Sequence, residues 1–95
     1  GLARPNILMF GDCAWLAART ESQESAFCSW LNGVAKESLV AIELGAGTAI
    51  PTVRWECERL AETVIRINPR DYEITNGVSI PLGAAEALQR IEAAM

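Results

Sequence analysis

The sequence predicts an α/β fold, part of a doubly wound parallel sheet with three to four strands and flanking helices. Short apolar runs that read as buried strands alternate with segments of helical periodicity. Glycines stand where the second of those runs turns toward a helix. Strands alternating with helices of about 10–15 residues indicate a parallel sheet covered on both faces. The order amounts to about half of a doubly wound fold.

The first apolar run, Asn6 to Phe10, is stopped by Gly11-Asp12 and reads as a strand. Residues 13–19 show no clear period and read as loop or a short helical turn. Thr20 is expected to cap a helix whose first turn holds Glu21, Gln23 and Glu24. Phe27, Trp30, Leu31 and Val34 follow at helical spacing as one apolar stripe, which puts Trp30 in a core. Asn32-Gly33 ends that helix.

Leu39 to Leu44 is the second buried-type strand, and Gly45-Ala46-Gly47-Thr48-Ala49 follows at once. Pro51 suits the first turn of the next helix. Val53, Cys57, Leu60 and Ala61 share one of its faces, and Arg54 and Glu58 are spaced to pair on another. Thr63 to Ile67 is the third strand, stopped by Asn68-Pro69, and a polar loop runs from Asp71 to Asn76. Val78 to Ile80 is a short fourth strand. Gly83 opens a last helix with Ala84, Leu88, Ile91 and Met95 on one stripe. No repeat, linker or second composition regime appears, so residues 1–95 read as one domain.

Composition narrows the function classes. The chain has 95 residues, 51 % of them apolar, with a net charge of −4 and a single lysine, Lys36. That balance argues against binding nucleic acid or anionic lipid by bulk electrostatics. No apolar run approaches the ~20 residues of a membrane span, and no signal peptide is visible. The chain opens at Gly1 without a Met, so a cloning scar, a processed terminus or an excised fragment is expected. Cys13, Cys28 and Cys57 match no metal-ligand spacing; their odd number points to a reducing compartment and hence the cytoplasm. There is no histidine, so the commonest general base is absent and no catalytic residue is assigned within the chain.

The richest stretch is Leu39 to Asn68. Gly45 permits a tight turn after a strand, Gly47 lets a ligand approach the backbone, and the amides that follow suit an anion such as a phosphate. Position 50 is Ile, so the third glycine of the full dinucleotide pattern is missing. The plain alternative is a glycine-rich turn with no ligand. Asn68 lies 21 residues beyond Gly47, where dinucleotide sites usually place an acid on the adenosine ribose. An amide can serve two hydroxyls there, or simply end a strand in an Asn-Pro turn. Phe10-Gly11-Asp12 is a weaker substrate-side candidate, equally readable as a turn. Glu43 reads as a strand-end charge. Trp15 and Trp55 suit an interface.

In these motifs the chain resembles the C-terminal half of a sirtuin-family (NAD-dependent protein deacylase) catalytic domain, along nearly its whole length. Arg4 to Asp12 is similar to the family's R-P…F-G-E segment, with Asp12 in place of Glu. Leu39 to Pro51 resembles its strand and G-T-S nucleotide loop, here Gly45-Ala46-Gly47-Thr48, so the hydroxyl contact falls to Thr48. Asn68-Pro69 matches its I-N-P motif, and Ile80 to Leu88 its closing G-x-A-x-E-x-L. The branch it suits is divergent and bacterial-looking.

The resemblance implies a Rossmann-like NAD-binding domain with NAD or ADP-ribose against Gly45, Ala46, Gly47, Thr48, Asn68, Gly83 and Ala84. It also implies weaker substrate contacts at Phe10, Gly11 and Asp12. The catalytic histidine and zinc cysteines would lie in an upstream part, so zinc is expected only there. The parent would act on an acylated-lysine protein, and this portion would be inactive alone. Its expected partner is a complementary N-terminal half or a second copy.

Two other readings stay open. Ile42 to Thr48 also looks like the first motif of S-adenosylmethionine methyltransferases, although Asn68 stands where an acid is usual. A non-catalytic nucleotide-binding or interaction half-domain is the third.

Overall fold

The computed structural model describes Ile7, Leu8, Gly11 and residues 13–95, which divide into two compact units, Gly1–Gly33 and Val34–Met95. The first strand expected from the sequence falls largely outside the described residues. Ile7 and Leu8, which are described, are exposed and belong to no strand.

Among the described residues the first unit contains one helix, α1 (Ala18–Asn32). It starts earlier than Thr20, with Ala17 before its first residue and the Glu21 amide donating to the Ala17 carbonyl at 2.9 Å. The good helix formers Ala17, Ala18 and Arg19 extend the helix backward past the residue expected to cap it. At the other end the Gly33 amide donates to Trp30 O at 3.1 Å, so Val34 lies outside the helix. The apolar stripe is not a core. No residue of α1 is buried, and Trp30 is 54 % exposed, its ring stacked on Phe27 with centroids 6.1 Å apart.

The second unit carries the sheet. A single 3-10 turn, Lys36–Ser38, leads into β1 (Val40–Leu44); α2 (Thr52–Leu60) and β2 (Thr63–Ile67) follow, then β3 (Gly77–Ile80) and α3 (Ala84–Ala94). The strands form a parallel sheet in the order β1-β2-β3, so the protein is α/β with a three-stranded parallel sheet flanked by helices, as in part of a Rossmann-like fold. Ile42 stands opposite Ile65 and Ile65 opposite Val78; one residue on, Glu43 stands opposite Arg66 and Arg66 opposite Ser79. Because side chains alternate, each of these rows lies on its own face.

The two faces differ. On one face Glu43, Val64 and Arg66 are buried, while Gly77 and Ser79 of β3 are exposed. The other row is apolar, yet Val40, Ile42, Leu44 and Val78 each remain about half exposed. The expectation of cover on both faces is therefore met only in part on this second face, where Ile67 is buried and Ile65 half-buried. Among the described residues the fully enclosed apolar side chains are few, with Ala61, Val64, Ile67 and Ala87 at their centre. In α3 the buried residue is Ala87; Leu88 and Met95, from the expected stripe, are exposed.

Glycine is required where β3 begins. Gly77 has φ +154°, and a Cβ there would collide with the Val64 backbone oxygen. The link from β2 to β3, residues 68–76, crosses without a helix.

Candidate functional site at the carboxyl edge of the sheet

Three parallel strands end at one edge, the edge where open α/β sheets gather ligands. The glycine turn follows β1, Asn68 follows β2, and Gly83-Ala84 follows β3 by three residues. Backbone hydrogen bonds tie these exits together. The Gly45 amide donates to Ile67 O at 2.9 Å, and the Asn68 amide to Ile80 O at 3.1 Å.

Each glycine has its own reason. Gly45 sits at φ +63°, a left-handed conformation that costs other residues about 1–2 kcal/mol. Gly47 and Gly83 have no positive φ, and a Cβ on either would meet nothing within 4 Å. Neither the conformation nor the packing demands glycine at these two positions. Both leave a bare backbone facing open space, which fits a ligand lying against it. Helix α2 starts only at Thr52, so its first amides do not follow the turn directly; Gly83, by contrast, is the residue immediately before α3.

The Ala46 carbonyl is the most heavily bonded group of the edge. Arg54 donates to it through Nε at 3.1 Å and Nη2 at 3.0 Å, and Asn68 Nδ2 donates at 3.1 Å. Arg54 Nη2 also donates to the Asp71 carbonyl. Asn68 Oδ1 accepts the Arg70 and Asp71 amides, both at 3.0 Å, and so closes a turn. Asn68 is buried. The turn expected of Asn-Pro is thus present.

Beneath this edge lies an ionic cluster. Arg66 grips Glu43 with Nε–Oε1 2.7 Å and Nη2–Oε2 3.0 Å, a forked pair. Arg66 also donates to Glu58 Oε1 at 3.0 Å and to the Glu73 carbonyl at 2.9 Å. Arg54 Nε stands 3.8 Å from Glu43 Oε1. Glu43 is the enclosed carboxylate facing two buried guanidiniums, and the second carboxylate, Glu58, is half exposed at the rim. Hydrogen bonding to Glu43 raises the Arg66 pKa further above its already high value. Burial, with Glu43 next in weight, pushes the Cys57 thiol up as well.

The sequence reading missed this cluster. Glu43 is fully enclosed, not a strand-end charge, and Arg54 and Glu58 take different partners instead of pairing along α2. The signal was a carboxylate and a guanidinium each set within an apolar strand, since an enclosed charge requires a partner.

Other expected contacts divide as follows. Ala46 is buried and can offer only its backbone; Thr48, Gly83 and Ala84 are exposed at the edge. Gly11, at φ +72°, belongs to the other unit, and Phe10 and Asp12 lie outside the described residues. Trp55 is exposed. A cavity of about 440 Å³ opens at the opposite, amino edge, between Lys36, Glu62, Val64 and Asn76. Its lining shares no residue with the glycine turn.

Fold and edge define an α/β domain in which the glycine turn, Asn68 and Gly83 gather at the carboxyl end of a parallel sheet. No protein-family model, curated protein or solved structure matches the chain. Among the described residues, no helix is long and apolar enough to cross a membrane, and no group of three or more His, Cys, Asp or Glu is placed to hold a metal.

Proposed function

We propose that the chain is the C-terminal NAD-binding portion of a sirtuin-like NAD-dependent protein lysine deacylase of the cytoplasm. The observation that carries this reading is the meeting of three motif stretches, Gly45–Thr48, Asn68 and Gly83-Ala84, at one edge of a parallel sheet. In the sirtuin resemblance these same stretches bear the nucleotide. Bare backbone at Gly47 and Gly83 suits ribose and phosphate groups, and Asn68 keeps one amide hydrogen for a ribose hydroxyl.

When bound, NAD supplies the ADP-ribose that accepts an acyl group from lysine as nicotinamide leaves. The chain's own part is to bind and orient. It has no histidine, so the proton-accepting group belongs to a complementary N-terminal half. The half-exposed apolar row Val40, Ile42, Leu44 and Val78 supports such a partner or a second copy, because parallel sheets are usually covered on both faces.

The methyltransferase reading is weaker on one point. It would use the acid before the glycines, whereas Glu43 is enclosed and held by Arg66. Thermal shift with NAD, ADP-ribose and S-adenosylmethionine separates the readings, since a ligand of the folded state raises its stability. ADP-ribose should raise the melting temperature and S-adenosylmethionine should not; the reverse result removes the sirtuin-like reading. Incubation with NAD and an acylated lysine peptide should release no nicotinamide.

A further inference from the structure

We infer that Arg54 is a positioning residue that aims the Gly47 amide at the ligand, acting through the Ala46 carbonyl. The inference rests on the nucleotide-binding reading of the edge and adds a residue to it that touches no ligand.

Ala46 C=O and Gly47 N–H belong to one planar trans peptide, so they point in opposite directions. The carbonyl is held inward by three donors, the Nε and Nη2 of Arg54 and the Nδ2 of Asn68. The Gly47 amide must then point away from both side chains. Beside Gly47 the space is open, since an added Cβ would meet no atom within 4 Å. The result is a fixed donor at an open edge, the kind of group that receives a phosphate oxygen.

Through Nε and Nη2 the guanidinium is engaged on main chain. Arg54 is buried, and its Nη2 also donates to Asp71 O, while Glu43 lies on its Nε side. A positive side chain next to a glycine turn invites assignment as a phosphate clamp. Here its hydrogen bonds run inward, and its effect on an anion passes through the peptide it orients. Only a forked donor can hold one carbonyl through two nitrogens and still reach a second carbonyl. Lysine would keep the charge near Glu43 but lose that grip.

The test compares wild type, Arg54→Lys and Arg59→Gln, the last an exposed arginine on the same helix. Amide NMR and calorimetric titration with ADP-ribose are the readouts, with the melting temperature measured alongside. In wild type, ADP-ribose should move the Gly47 amide resonance. In Arg54→Lys the resonance should already be displaced without ligand, and affinity should fall about tenfold, the scale of one well-placed hydrogen bond. Arg59→Gln should bind as wild type.

If arginine merely balanced Glu43, lysine would restore both stability and affinity, and that result overturns the inference. A wild-type titration that moves other resonances but not Gly47 also overturns it, and needs no variant to fold. If ADP-ribose moves no resonance in wild type, the nucleotide reading falls instead. The positioning role is then decided by whether Gly47 is displaced in the free lysine variant.

Discussion

Glu43 and Arg66 stand opposite each other in the β1–β2 register, and the guanidinium closes on the carboxylate with two hydrogen bonds of 2.7 and 3.0 Å. An ion pair enclosed between a sheet and a helix is costly to half-remove. Arg66→Met leaves Glu43 with only Arg54 nearby and is expected to destabilise the fold by about 3–5 kcal/mol. The double change Glu43→Leu with Arg66→Met should cost clearly less than the single one. Urea unfolding of wild type, Glu43→Leu, Arg66→Met and the double variant measures this; a double variant as weak as the sum of its parts would contradict it.

Gly45 and Gly47 should separate folding from binding. Gly45→Ala must hold φ +63° and is expected to lose about 1–2 kcal/mol. Gly47→Ala meets no neighbour and should change stability by less than about 0.5 kcal/mol. Gly47→Val should leave the melting curve largely intact while ADP-ribose binding collapses. Parallel losses of stability and affinity at Gly47 would mark it as a turn residue only.

Asn68 is engaged at both ends, so its substitutions have two effects. Asn68→Ala removes the Nδ2 bond to Ala46 and the two acceptor bonds of the turn, with an expected loss of about 1–3 kcal/mol. Asn68→Asp keeps the acceptors of the turn, yet puts a carboxylate against the Ala46 carbonyl and loses the donor. It should weaken ADP-ribose binding in calorimetry. Tighter binding of S-adenosylmethionine by the Asp variant would favour the methyltransferase class.

Cys57 gives the fold a pH response. Burial, and Glu43 after it, raise the thiol pKa in the folded state, so the unfolded chain ionises first as pH climbs. The associated stability is complete below the ordinary thiol value of about 8.5 and is lost as pH rises through the higher folded value. Cys57→Ser should flatten that alkaline decline in denaturant titrations. At pH 8 a thiol reagent should modify the exposed Cys13 and Cys28 before Cys57.

The open apolar row should drive association. Ile42 is 56 % exposed on that row, and Ile42→Lys should lower self-association in sedimentation runs with little change in melting temperature. Unchanged sedimentation in the lysine variant would show that the row is not the contact surface.

How legible all this was in the sequence depended on the kind of signal. β1, β2 and β3 were readable because short β-rich runs are bounded by Gly45, Asn68-Pro69 and Pro81, each a strong stop. The glycine turn and the placement of Asn68 followed from those strands being parallel. Helix α1 was misjudged at its start, since a possible cap at Thr20 competes poorly with Ala17 to Arg19, and periodicity reports a stripe without saying what covers it. The Glu43 cluster was missed for a different reason. Its members are spread along the chain at 43, 54, 58 and 66, and only the strand register and the turn of α2 bring them together.

The link between β2 and β3 sets a rule for how this protein can vary over evolutionary time. Arg54 reads the carbonyl of residue 71 and Arg66 that of residue 73, so both guanidiniums contact main chain and are indifferent to the side chains there. Substitutions at Asp71 and Glu73 should pass freely, while inserting or deleting a single residue between 68 and 71 would shift both carbonyls off their arginines. Homologues should therefore differ in the spelling of this segment and agree in its length.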